Sequence, residues 1–163
     1  MNKYKFRKYN PHFKKLYQKE KLKLNKILSK DIKIEHIGST AVQGLGGKGI
    51  IDIIIAVSKK QVNKIKNKLI KNKYNFKPKG GDKNRLFFEK DYGILLKRRV
   101  HVHLTTINSK DWKDCIKVRN KLRKNKKLQE EYSKIKREGV KICKGEGKIY
   151  REYKSKFLER ISK

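Results

Sequence analysis

Cysteine is almost missing from this chain: Cys115 and Cys143 are the only two, too few and too far apart for a disulfide framework or a thiolate zinc site. They read as buried thiols of a reducing compartment. Long apolar runs are missing too. The opening MNKYKFRKYN has no apolar core of signal-peptide length, and no stretch approaches a membrane span, so a soluble, cytoplasmic protein with no membrane partner is expected. Acidic residues are the third scarcity, 15 against 48 Lys and Arg, for a formal charge of +33. Such a surface favours polyanions, with RNA or DNA first. A second reading stays open, because 39 of the 48 cations are lysine and Ile and Asn are frequent, as the codon bias of an AT-rich genome produces. The excess is spread along the chain, with no detachable basic tail, so any binding face belongs to the folded part.

At 163 residues the chain suits one domain, 1–163. Apolar residues at helical spacing (Phe13, Leu16, Tyr17, Leu24, Ile27, Leu28) predict an amphipathic helix over 12–29. Residues 32–37 alternate like a strand, and 50–57 are apolar enough for a strand covered on both faces. A second helix is expected over 59–72, then strands at 74–77, 85–89 and 98–105, with turns at Gly80-Gly81-Asp82 and Asp91-Tyr92-Gly93. From Ser109 the period becomes helical. Three helices follow, the last two separated at Gly145 and Gly147. The expected class is α+β, a mixed sheet flanked by helices with a helical C-terminal half.

The chemistry concentrates in Ile34–Val57. In His36-Ile37-Gly38-Ser39-Thr40 the glycine lets the backbone turn sharply after a strand, and the Ser39 hydroxyl with nearby N–H groups can hold a phosphate. Asp52 interrupts an apolar strand, where a carboxylate is costly unless it meets a metal or a cation; pairing with a neighbouring lysine is the plainer alternative. Gly44-Leu45-Gly46-Gly47-Lys48-Gly49 is not a P-loop. The position five before Gly47-Lys48 is Val42, and Gly49 stands where Ser or Thr should follow. Lys48 can still neutralise a phosphate. His101 and His103 lie two apart on a strand and face the same way, so they can share a ligand, with Arg98 and Arg99 entering the same strand; a hydrogen-bonded structural role is the alternative for both and for His36.

These residues carry a resemblance. Tyr9-Asn10-Pro11, Glu35 through Val42, Gly44-Leu45, Lys48, Ile51-Asp52-Ile53, Arg85 with Phe87-Phe88, His101-x-His103-Leu104, Arg119-x3-Arg123, Glu131-Tyr132, Lys136 and Tyr153-x2-Lys156-Phe157 resemble the GrpB family (UPF0157), which belongs by fold to the nucleotidyltransferase superfamily. The resemblance implies that Gly38-Ser39 stands in the superfamily's phosphate-binding motif and Asp52 in the place of its first metal carboxylate. It further implies a nucleoside triphosphate as ligand, Mg²⁺ or Mn²⁺ as cofactor, and transfer of a nucleotidyl group to RNA such as tRNA or to another hydroxyl acceptor. The alternative is a catalytically inactive nucleotide- or RNA-binding module.

On this reading Asp52, His101 and His103 are catalytic, with Asp52 and His103 as metal ligands. His36, Gly38, Ser39, Thr40, Lys48 and Arg85 bind nucleotide, and Arg98, Arg99, Arg119 and Arg123 bind RNA phosphates. The chain departs from the pattern at Ile54, where a second metal carboxylate is implied. It departs again at Gln43 and Gly49, where the family commonly has proline, so a more flexible loop is expected.

Overall fold

The computed structural model describes residues 5–82, 84–92 and 99–163. Five strands form one mixed sheet in the order β1-β2-β5-β4-β3: β1 is Lys33–Ile37, β2 Ile51–Val57, β3 Asn75–Phe76, β4 Leu86–Asp91 and β5 Arg99–Thr106. β2 and β5 run parallel, and the other pairs are antiparallel. The parallel pair needs a crossover, which helix α2 (Val62–Lys71) and the β3–β4 hairpin supply.

Strand periodicity of two divides β2 sharply. Ile51, Ile53, Ile55 and Val57 point into a core closed by α1 (His12–Ile27) and α2, and each buried isoleucine there contributes roughly 2 kcal/mol. Asp52, Ile54 and Ala56 point to the other face. Over the C-terminal part, α3 (Lys110–Lys124), α4 (Lys126–Ile142) and α5 (Gly147–Ser162) pack together. Ser109 caps α3 by accepting from Trp112 N at 3.2 Å, and Asn125 caps α4 by accepting from Leu128 N at 3.1 Å. Between α4 and α5, Gly145 takes φ +97°, the left-handed turn expected there. Val42 and Leu45 of the β1–β2 loop insert among Leu122, Tyr132, Phe157 and Ile161, joining the loop to the helices.

The expected boundaries shift where local chemistry intervenes. The 59–72 helix begins as a single 3₁₀ turn, Lys59–Gln61, in a Ser58–Gln61 capping box. The strand at 74–77 shortens to Asn75–Phe76: Tyr74 N–H turns back to Leu69 O at 3.0 Å, while Lys77 N–H still reaches Phe87 O at 2.9 Å just before Pro78. β5 begins at Arg99; Arg98 and Gly93 lie outside the described residues. Among the described residues, no helix is long and apolar enough to cross a membrane.

Candidate functional site

Register across the sheet assembles the site. Ile37, Asp52, His101 and Glu89 lie opposite one another on β1, β2, β5 and β4, and side chains in one such row share a face. The next row is Glu35, Ile54, His103 and Phe87. His101 touches Asp52, Nδ1 to Oδ1 at 3.2 Å, while its Nε2 stands 3.6 Å from Glu89 Oε1, too far for a hydrogen bond. Phe87 packs edge-on against the His101 ring at 4.9 Å and fixes its plane. His101 Nε2, His103 Nδ1 and Arg85 Nε are buried atoms without a hydrogen-bond partner among the described residues.

Gly38 closes one side of the row. Its φ of +71° and ψ of −171° belong to a region open essentially to glycine, and a β-carbon there would meet Asp52 Oδ2 at 2.5 Å. Ser39 follows as the first residue of a 3₁₀ turn, Ser39–Ala41. Its Oγ would lie 2.3 Å from a β-carbon on Gly47, which would also meet Lys136 Nζ at 3.6 Å. Ser39 hydroxyl and Lys136 ammonium therefore flank one glycine of the loop.

Three lysines feel the charge of Asp52. Lys136 is 3% exposed, donates to the Gly46 carbonyl and lies over the Tyr132 ring at 4.6 Å. Lys48 and Lys154 both lie over the Tyr150 ring, at 4.8 and 5.0 Å. Burial pushes the Lys48 ammonium down to about 8, helped by Lys154 and opposed by Asp52. Burial likewise pushes Lys136 down to about 7, helped by Lys154 and Arg137, and lowers Lys154, with Asp52 opposing in both cases. For Asp52 burial acts upward, but the His101 hydrogen bond and the charges of His101, His103 and Lys154 hold its carboxyl below the usual range.

Other expected ligands serve elsewhere. His36 lies on the opposite face of β1, stacked on Tyr17 at 4.4 Å, with Nε2 2.9 Å from Thr40 Oγ1. Thr40 donates its single hydroxyl hydrogen to Ile50 O, so His36 Nε2 is the donor to Thr40. Together they pin the ends of the β1–β2 loop. Burial pushes His36 down to about 4 and His103 to about 4. Arg119, expected on RNA phosphates, is buried instead and donates to Glu35 Oε2 at 2.6 Å and His36 O at 2.9 Å. Arg123 Nε donates to Ala41 O at 3.0 Å. Arg85 turns to Asp82 (3.5 Å) and Asp111 (3.8 Å), and Arg99 lies exposed beside Asp91 at 3.4 Å. The loop expected to gain flexibility is tied down: Val42 and Leu45 are buried, Lys136 grips Gly46, and Gly47 exchanges two backbone hydrogen bonds with Arg7.

The residues do not fit a two-ion centre. Ile54 is fully buried beside His103, not a ligand, and His103 lies one row beyond Asp52. Among the described residues no three His, Cys, Asp or Glu side chains converge to hold an ion. The sequence singled out Asp52, Gly38-Ser39, Lys48 and His101, which do share this region, but it missed Glu89 and Lys154. Among 39 lysines no local signal marks Lys154; only the packing of α5 brings it to Asp52.

The GrpB protein family model matches residues 3–163. The chain belongs to the GrpB family. It is 28% identical over 158 residues to the glutamate-rich protein GrpB of Alkalihalophilus pseudofirmus, covering 94% of this chain and 90% of that one. It is 29% identical over 159 residues to a UPF0157 protein of Vibrio cholerae, covering 97% and 80%. The crystal structure of conserved protein GrpB from Enterococcus faecalis superposes with a TM-score of 0.82 at 26% identity over 97% of this chain and 94% of that one. The MgGTP-bound Cid1 poly(U) polymerase shares the fold, with a TM-score of 0.50 at 16% identity over 80% of this chain and 45% of that one. This GrpB chain thus has a nucleotidyltransferase-like fold.

Proposed function

We propose that this GrpB chain acts in the cytoplasm as a single domain that binds a nucleoside triphosphate, its phosphates seated on the Gly38–Ser39 turn. The observation that carries this reading is the closure of Gly38 onto Asp52, which sets the Ser39 hydroxyl beside Lys136 at the glycine loop. Lys48 brings a further cation to the same carboxylate. Equilibrium dialysis with labelled ATP, GTP, CTP and UTP tests it. Saturable binding weakened at least tenfold by Ser39→Val is expected, and no saturable binding of any of the four sinks the reading.

The Asp52–His101 pair favours a second reading, in which the bound nucleotide is also a donor: a hydroxyl of RNA, tRNA included, or of another acceptor bonds to its α-phosphorus as the bond to the β-phosphate breaks and pyrophosphate leaves. Asp52 faces His101 Nδ1 at 3.2 Å, and Nε2, buried and without a hydrogen-bond partner among the described residues, takes the hydroxyl proton once the acceptor is seated against it. Ile54 counts for the inactive binding module instead, because it leaves one carboxylate where the resemblance implies two. Incubation with α-labelled NTP, Mg²⁺ or Mn²⁺ and total RNA, with Asp52→Asn as control, decides between them. Label that stays on nucleotide while binding persists removes the transfer reading. The +33 charge supports RNA only weakly, since a family member is named glutamate-rich.

A further inference from the structure

The two helices that cover the core face of the sheet show solvent charge of one sign. α1, α2 and the 3₁₀ turn before α2 hold 12 lysines and one acidic residue, Glu20. Glu20 is 1% exposed and accepts from the Tyr74 and Tyr92 hydroxyls, so no acidic side chain of these elements reaches water. Asp31, beyond the end of α1, accepts from Ser29 Oγ at 3.0 Å. By contrast α3, α4 and α5 carry 18 Lys and Arg with 7 Asp and Glu. Codon bias adds lysine to every helix alike and does not empty two of them of acid. Both helices pack on Ile51, Ile53 and Ile55, so their outer sides look the same way. Lys68 of α2 joins them by donating to Ile27 O at 3.2 Å and Leu28 O at 3.3 Å. Lys15, Lys19 and Lys26 stand exposed along α1, and Lys60, Lys64 and Lys71 at and before α2. Among these cations Leu22 is 62% exposed and Ile70 46%. Leu22 lies two residues from buried Leu24, roughly 200° around the helix, and so forms the crest of α1.

We propose that the α1–α2 face docks on an anionic lipid bilayer, with its lysines at the headgroup phosphates and Leu22 and Ile70 at the apolar edge of the interface. The contact is peripheral and needs no spanning helix. Lysine stems lie along apolar surface while their ammonium groups stay in water, and each lysine near an anionic membrane adds to binding. RNA fits this face less well. No arginine lies between Arg7 and Arg85, and the aromatic rings of α1, Phe13 and Tyr17, are packed against the core. Forked phosphate donors and free stacking rings are both missing from α1 and α2, and two aliphatic side chains add nothing for a polynucleotide. Asp52 points to the opposite face of the sheet, so this surface stands or falls independently of the nucleotide reading.

The test is sedimentation of the full chain with vesicles of phosphatidylcholine alone and of phosphatidylcholine with an equal part of phosphatidylglycerol. Binding to the mixed vesicles should be tighter by about tenfold or more. Lys19→Glu with Lys26→Glu should weaken it by about tenfold or more, whereas Lys124→Glu with Lys127→Glu, the same charge change on exposed lysines of α3 and α4, should cost at most about threefold. Leu22→Asn with Ile70→Asn keeps every charge and should weaken binding about fivefold. All of these side chains are exposed, so the variants should melt with the parent. Equal binding to the two kinds of vesicle, equal loss in the two charge-reversed pairs, or full binding by the Leu22→Asn and Ile70→Asn pair overturns the proposal. So does an RNA oligonucleotide whose binding falls with Lys19→Glu and Lys26→Glu while vesicle binding holds. Inorganic phosphate should leave the vesicles bound; if it displaces them, the face is a simple anion site and the bilayer is not its partner.

Discussion

Gly38 lies so close to Asp52 that a β-carbon built on it would stand 2.5 Å from Oδ2. The Gly38–Ser39 turn and the strand carboxylate are therefore one packed unit, and neither can change alone. Glycine also carries the φ of +71° that the turn needs.

Gly38→Ala should accordingly cost about 2–4 kcal/mol of stability, combining a sparsely populated backbone region with a steric overlap. Urea denaturation measures it. A loss under 0.5 kcal/mol would show that the Asp52 side chain has room to withdraw, and the packed-unit picture would be wrong.

Arg119 joins α3 to the strand that leads into the turn, through Glu35 and the His36 carbonyl. Arg119→Met leaves a carbonyl and a carboxylate without their donor and should destabilise the fold by roughly 2 kcal/mol. Glu35 is 41% exposed, so water recovers part of the loss on that side. If Arg119 instead served RNA, stability would hold and only the salt-dependent affinity for RNA would fall.

Acid should unfold the protein from the histidines first. His36 and His103 are each pushed down to about 4 by burial, below the ordinary value of 6.5. The unfolded chain thus takes up more protons than the native one between pH 6.5 and 4. Their contribution is intact above 6.5 and lost as pH falls toward 4, on the order of 3 kcal/mol each. Asp52, also held down, adds to the loss at lower pH. Urea midpoints at pH 7.5, 5.5 and 4.5 should fall steadily, and His36→Gln should flatten part of the slope; a flat profile to pH 4.5 contradicts the burial of both rings.

Anion binding should draw protons in. Lys48 sits near 8 and Lys136 near 7, held down by burial with Lys154, Arg151 and Arg137 as like charges; Cys143 and Asp52 act upward on Lys48, and Asp52 alone on Lys136. An anion raises both, so at pH 8 a nucleoside triphosphate should bind with net proton uptake. Calorimetry in two buffers of different ionisation enthalpy reads the number directly. Zero uptake would place the anion away from these lysines.

Much of the fold was legible because local physics decided it. Alternation set Ile51, Ile53 and Ile55 against Asp52, Ile54 and Ala56, and Gly145 marked the break between the last two helices. The contacts of the loop with Lys136, Arg7 and a helical core are ones that no local pattern reveals. Arg119 and His36 read as ligands from their residue types, and the structure shows in addition which groups they hold within the fold. Arg119 bonds Glu35, 84 residues away, and His36 bonds Thr40, 4 residues away, and only the first of these partners is remote in sequence.

By itself the sequence determined the family, the mixed sheet and helical half, and the carboxylate with its glycine turn, because these depend on periodicity and on residues adjacent along the chain. Only the tertiary structure decided what surrounds Asp52. Strand register placed His101 and Glu89 in its row, and the packing of α4 and α5 carried Lys136 and Lys154 to it. Electrostatic neighbourhood depends on distance in space, and in a chain with 39 lysines position along the sequence carries almost no information about which of them come near one carboxylate.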